Sequence, residues 1–245
     1  MIKLRLILTV LLCWILSACD GSPVTLVQTD STPKPTVILL HGCDGISNPM
    51  YRTHAKTISS WGYNVVILDS FGPRGYTNIC GPGQGKSVLP ADRYEDVVKT
   101  VAWISQQSWH RGGIGLVGYS HGGAVALNIA QRGGITGLTA LVSFYPSCRL
   151  RFSGGPYWTS NIPLEIHIGE KDALNLQGAE HSCHLNGPDT NSNYRLYMYS
   201  GAYHAFDTPK PYRLDAHSNP MEYNSAVTEL SYSRVNKFLD YWLHH

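Results

Sequence analysis

Charge is what this chain has least of. Lys, Arg, Asp and Glu make up 15% of its 245 residues, where about a quarter is usual for a soluble domain. No basic cluster stands out, which removes the electrostatic footprint that nucleic acid would need. So low a charge also argues against a disordered chain or a coiled coil. Long apolar runs are missing too. The longest, Leu6 to Leu16, covers 11 residues and is interrupted by Thr9, too short to span a bilayer as a mature helix. There is no internal repeat and no low-complexity block.

The N-terminus reads as a targeting segment rather than as part of a fold. Lys3 and Arg5 precede the short apolar core, and Leu16-Ser17-Ala18-Cys19 closes it. That order resembles a bacterial lipobox, in which Cys19 is lipidated and becomes the first mature residue; an ordinary secretory signal cut near Ala18 is the other reading. Several acyl chains on one residue would anchor stably where one would not. The expectation is a signal peptide over 1–18, a polar tether over 19–35 and one domain over 36–245. The location expected is the bacterial cell envelope, facing the periplasm or the exterior, with Asp20 tilting the choice toward the inner membrane. Without Lys3 and Arg5 the basic count equals the 17 acids. A near-neutral chain with 15 tyrosines suits a secreted enzyme.

Six cysteines are present. Cys13 leaves with the signal and Cys19 takes the lipid. Cys43, Cys80, Cys148 and Cys183 remain, and in an exported protein four cysteines suggest two disulfides with three connectivities. Cys43–Cys80 and Cys148–Cys183 are favoured because each pair joins loops expected on one edge of a sheet. Four buried thiols are the alternative.

Short apolar strands alternate with helical stretches. Strands are expected at 36–40, 64–69, 114–117, 138–144, 164–168 and 194–199, and helices at 51–61, 91–107, 124–130 and 222–243. In the last helix Ala226, Leu230, Val235, Phe238, Leu239 and Trp242 should face inward. A short helix is also read over 178–185. This alternation predicts a doubly wound, mostly parallel sheet flanked by helices. Ligand sites in such sheets lie off the carboxyl ends of the strands.

Gly118-Tyr119-Ser120-His121-Gly122-Gly123 sits between one of those strands and a helix. Strand, sharp turn, serine and helix is the context of a nucleophile elbow. A serine hydroxyl needs a base within hydrogen-bond reach and a group that orients that base. Asp172 and His204 each follow a strand, and the order Ser120, Asp172, His204 is that of the α/β-hydrolase triad. Asp69, also at a strand end, is the second choice for the acid. The oxyanion needs fixed donors. The backbone N–H groups of His121 and Cys43 are the candidates, with His41 bracing the Cys43 loop. Arg74 and Tyr119 are candidate substrate-binding residues, although Arg74 could equally form a structural salt bridge. His181, Cys183 and His184 could suggest a metal but lack a second matched pair. No metal or cofactor is called for.

Five segments resemble the dienelactone-hydrolase-like branch of the α/β hydrolases: 40–45, 69–75, 118–123, 169–172 and 203–207. They span nearly the whole mature domain. Dienelactone hydrolases use a cysteine nucleophile controlled by a glutamate in the loop after the first strand. Here Ser120 and Gly42 stand at those places, and the serine form resembles a general carboxylic-ester hydrolase. The resemblance implies an α/β-hydrolase fold and a small-molecule ester or lactone as substrate. An amidase or peptidase with the same triad, or a non-catalytic binding module, are the alternatives.

Overall fold

The computed structural model describes residues 24–28, 30, 32–84, 87–148, 160–177, 180–181 and 193–244. Seven strands form one sheet: β1 (Val24–Val27), β2 (Lys34–Leu40), β3 (Asn64–Leu68), β4 (His110–Tyr119), β5 (Leu138–Phe144), β6 (Leu164–Gly169) and β9 (Tyr194–Tyr199). Their order is β1-β3-β2-β4-β5-β6-β9. All neighbours pair parallel except β1 with β3. Two short ribbons, β7 (Leu176–Gln177) with β8 (Glu180–His181) and β10 (Arg213–Leu214) with β11 (Pro220–Met221), lie outside it. The helices are α1 (Met50–Ser60), α2 (Pro90–Ile104), α3 (His121–Gln131) and α4 (Ser225–His244). This is the expected doubly wound α/β-hydrolase fold in one domain.

The continuous apolar runs are buried on both sides, as a parallel sheet covered by helices requires. Val37, Ile38, Leu39 and Leu40 are all fully buried, and so are Leu116 and Val117 at the centre of β4. Alternation along β4 assigns the faces. A side chain at Gly113 or Gly115 would run into Leu243 and Leu239 of α4, whereas one at Gly118 would run into the start of α3. α4 therefore packs on one face and α3 on the other. α1 shares the α4 face, since Trp61 and His54 both contact Tyr232.

Two expectations change. Val24–Val27, inside the stretch read as a tether, forms an antiparallel edge strand against β3; three of its four residues are apolar, enough for a half-buried edge. In α4, Leu230 is exposed and so is Ala226. The buried stripe is Ser231, Val235, Phe238, Leu239 and Leu243; Val227 rather than Ala226 packs on the core, so the inward face lies one residue round the helix from the one expected. The helix read over 178–185 lies largely outside the described residues; Glu180–His181 is a strand. Among the described residues no helix is long and apolar enough to cross a membrane.

The elbow is the tightest point of the fold. An ideal Cβ on Gly122 would lie 2.4 Å from the Leu40 carbonyl oxygen and 2.8 Å from that of His41, and backbone cannot yield as a side chain can. Gly122→Ala should therefore destabilise the protein by at least the 1–3 kcal/mol typical of overpacking, on the order of what a core insertion costs. Urea denaturation measures this; an unchanged midpoint would show that the two backbones can separate freely.

Candidate active site

Every strand neighbouring β4 and β6 is parallel to them, so their carboxyl ends share one edge of the sheet. Ser120 follows β4, Tyr145 follows β5, Asp172 follows β6 and His204 follows β9. Ser120 adopts φ 51°, ψ −111°, a region costly for a residue with a Cβ. Its N–H donates to the Phe144 carbonyl at 2.9 Å, and its own carbonyl accepts from Ala124 at 3.0 Å as α3 begins.

The three residues expected to act together do meet. His204 Nδ1 donates to Asp172 Oδ2 at 2.9 Å, and its Nε2 lies 3.1 Å from Ser120 Oγ. With Nδ1 carrying the proton, Nε2 is the acceptor and the Ser120 hydroxyl is the donor. Asp172 is fully buried, and its Oδ1 also accepts from the Leu174 N–H at 3.1 Å. Burial pulls the His204 pKa down, but the adjoining Asp172 carboxylate outweighs it and the net shift is upward from 6.5.

Around the loop after β2 most of the backbone groups of Gly42 and Cys43 are already engaged. Arg93 Nη1 donates to the His41 carbonyl at 2.9 Å, and Gly42 N–H donates to Tyr51 Oη at 2.8 Å. His41 Nδ1–H donates to the Gly42 carbonyl at 2.8 Å, and Ile79 N–H to the Cys43 carbonyl at 2.8 Å. The Cys43 N–H takes no acceptor among the described residues. The His121 N–H opens α3, where a helix has no internal acceptor to offer. Both residues line a cavity of about 380 Å³ with Ser120 and His204.

His41 is fully buried and its pKa is driven well below 6.5, first by burial and then by Arg93. It is a neutral brace. His121 is no base either: Arg93 donates to its Nδ1 at 2.9 Å, and burial with that cation brings its pKa to about 3.

Other expectations are corrected. Arg74 does not reach the cavity. It makes a two-pronged ion pair with Asp96 at 2.7 and 3.0 Å and donates to the Ser70 carbonyl, which is the salt-bridge alternative. Tyr119 points into the core because its parity on β4 is that of the α4 face. Its ring stacks on His54 at 4.5 Å and on Phe144 at 5.1 Å. Asp69 caps the turn after β3, with Oδ1 accepting from Phe71 and Gly72 N–H. It is the carboxylate beside His41, not His204.

Cys43 and Cys80 are joined in a disulfide. Cys148 is also disulfide-bonded, and Cys183 lies outside the described residues. So do Cys19, His184 and the side chain of His181, and with them the suggested metal group. Among the described residues no group of His, Cys, Asp and Glu is placed to hold a metal ion.

Sequence reasoning missed the polar layer beneath the cavity. Asp207 is buried and accepts from Tyr145 Oη at 2.7 Å and Tyr232 Oη at 3.2 Å. Tyr145 has φ 36° and sets its ring edge-on to His204 at 4.8 Å. Asp207 sits three residues after His204, within reach of the same turn, and that spacing was the available signal.

A family model described as the dienelactone hydrolase family matches residues 23–243. The chain belongs to that family. Its class is that of the carboxylic ester hydrolases. Among solved structures it is similar to an esterase of Pyrococcus furiosus, with a TM-score of 0.63, 21% identity and coverage of 91% of this chain and 89% of that one. A dienelactone hydrolase of Anabaena variabilis gives 0.61 and 16%, covering 91% and 92%. Est1E of Butyrivibrio proteoclasticus, solved with ferulic acid, gives 0.61 and 16%, covering 92% and 97%. At such identities the likeness establishes a shared fold. No curated protein matches the sequence.

The Cys43–Cys80 bond closes a loop with a separation of 37 residues, worth about 4 kcal/mol in chain entropy. Replacing both residues by Ser should lower the unfolding free energy by up to that amount. An unchanged denaturation midpoint would mean that the loop is held by its hydrogen bonds alone.

Proposed function

We propose that this family member is a serine carboxylic-ester hydrolase working through an acyl-enzyme. The observation that carries the reading is one imidazole held at 2.9 Å to Asp172 and 3.1 Å to Ser120. Ser120 Oγ attacks the ester carbonyl carbon while His204 Nε2 takes its proton. The carbonyl oxygen becomes an oxyanion that faces the Cys43 and His121 N–H groups. The tetrahedral adduct collapses, the alcohol leaves with the proton from His204, and the acyl group stays on Ser120. Water then repeats the sequence and releases the acid. Asp172 keeps the proton on Nδ1 and stabilises the imidazolium. Lactones fit the same scheme, with the alcohol remaining attached to the acid.

We also propose that the chain is anchored in a bacterial envelope through lipid on Cys19. The disulfides at Cys43–Cys80 and Cys148 support an oxidising compartment.

Ser120→Ala should lower p-nitrophenyl acetate turnover by at least about 10³-fold and abolish fluorophosphonate labelling. Full turnover or labelling in that variant would overturn the assignment, and folded wild-type protein that takes no label would point to a binding module. His204 must be neutral to accept the proton, and Asp172 raises its pKa above 6.5. The acid limb of kcat/KM should thus lie above pH 6.5. Asp172→Asn should cut the rate on the order of 10²–10⁴-fold and move the limb to lower pH. A variant with an unmoved limb would assign that role to another group. For the anchor, radiolabelled palmitate should be incorporated by the full chain in a bacterial host and not by Cys19→Ala; equal labelling of both would exclude Cys19.

A further inference from the structure

One charged side chain inside the protein is not used by the scheme above. Arg93 is fully buried. It lies on α2 in the stripe it shares with Val97, Val101 and Ile104, a place where an apolar residue would be expected. Burial lowers its pKa to about 10, so it remains a cation at neutral pH. A desolvated guanidinium is expensive unless its hydrogen bonds are good. Asp96, which binds Arg74 through both oxygens, makes no hydrogen bond or ion pair with it and supports its charge only through space. The Nε and Nη2 groups of Arg93 have no hydrogen-bond partner among the described residues.

Its one engaged nitrogen, Nη1, makes two bonds of 2.9 Å. One goes to the His41 carbonyl, directly before Gly42-Cys43. The other goes to His121 Nδ1, on the residue directly after Ser120. These are the two segments that carry the Cys43 and His121 N–H groups. They come from different strands, 78 residues apart in sequence, and a displacement of either would misplace one donor.

We propose that Arg93 is a positioning residue: its guanidinium sets the spacing between the two backbone donors of the oxyanion hole. This rests on the serine-hydrolase reading. His121 then has a second role besides its N–H, since its unprotonated Nδ1 is the acceptor that completes the strut. Arg93 touches no substrate and acts through the loop and the elbow.

The test uses the full chain, a p-nitrophenyl ester and phenylboronic acid. The boronate adds to Ser120 Oγ with transfer of the hydroxyl proton to His204, and one boron-bound oxygen then takes the oxyanion position. His121→Ala keeps the backbone N–H and removes the strut's acceptor. Arg93→Lys keeps the charge, but its side chain is one bond shorter, so its ammonium stops short of the position from which Nη1 reaches both acceptors. Each should lower kcat by about 10–100-fold, a part of what losing an oxyanion donor costs. Each should weaken phenylboronic acid by a similar factor, with KM changed less than about twofold and the His204 acid limb unmoved. The double variant should be no worse than the poorer single one. Wild-type boronate affinity in folded His121→Ala overturns the proposal, and so does a loss of kcat without a loss of boronate affinity. If Arg93→Lys does not fold, His121→Ala decides alone. Ser120→Ala is assayed alongside: full turnover there sinks the serine reading, whereas an inactive Ser120→Ala with normal strut variants sinks only the strut.

Discussion

The site depends on the closeness of three backbones. At the end of β4 the chain turns so sharply that Gly118 lies against the Gly122 carbonyl, while Gly122 lies against the carbonyls of Leu40 and His41. No side chain larger than hydrogen fits at either place. The reward of that crowding is geometric. Ser120 is lifted out of the sheet plane at φ 51°, its hydroxyl reaches His204, and the first N–H of α3 is brought beside the loop that follows β2. The strain at Ser120, about 1–3 kcal/mol, is sustained by bonds that cannot easily be rearranged, to Phe144 on β5 and from Ala124 in α3.

Below this crowded point the protein buries an unusual amount of polar chemistry and satisfies most of it. Tyr51 Oη donates to Asp44 at 2.5 Å and accepts from Gly42. Tyr232 Oη lies 2.5 Å from His54 Nδ1 and 3.2 Å from Asp207. Burial keeps His54 below 6.5 despite the Asp207 charge, so a consistent proton order runs from His54 Nδ1–H to Tyr232 and from Tyr232 O–H to Asp207. Networks of this kind are costly when broken and rigid when complete. They link α1, α4 and the His204 turn, so the His204 imidazole is fixed from the core side as well as by Asp172.

Much of this was legible from residues alone, and the division follows periodicity. Strands such as Thr36–Leu40 and Leu138–Phe144 announced themselves as unbroken apolar runs, and Gly118–Gly123 as a turn that only glycine permits. Ser120, Asp172 and His204 were legible because each follows such a run. Contacts that depend on parity and on distant partners were not. Tyr119 neighbours Ser120 in sequence, yet alternation on β4 sends it to the opposite face. Arg74 had the chemistry to bind an anion, but its partner Asp96 lies a helix away. Val24–Val27 was hidden by the polar residues around it, since an edge strand needs only one weakly apolar face. Arg93 contradicted its own stripe on α2, and a charged residue at an apolar position was the one sign it offered.

Serine at position 120, where the resemblance to dienelactone hydrolases would place a cysteine, fits the loop that faces it. A side chain at residue 42 would begin 2.8 Å from Tyr51 Oη, 3.2 Å from Asp44 Oδ1 and 3.4 Å from the Ser120 Cβ. The space a controlling glutamate would occupy is thus filled by a tyrosine–aspartate pair that instead holds the Gly42 N–H. The two arrangements answer different needs. A thiol ionises near neutral pH and its reactivity is governed by whatever sets the thiolate population. A serine hydroxyl does not ionise there; on the proposed mechanism its proton leaves only as it attacks, so control passes to the base and to the oxyanion donors. On the proposed mechanism, a loop pinned by Tyr51, Arg93 and Cys80, with the Cys43 N–H left without an acceptor among the described residues, is what a serine enzyme of this fold has use for. A residue at position 42 that swung toward the nucleophile would disturb that loop.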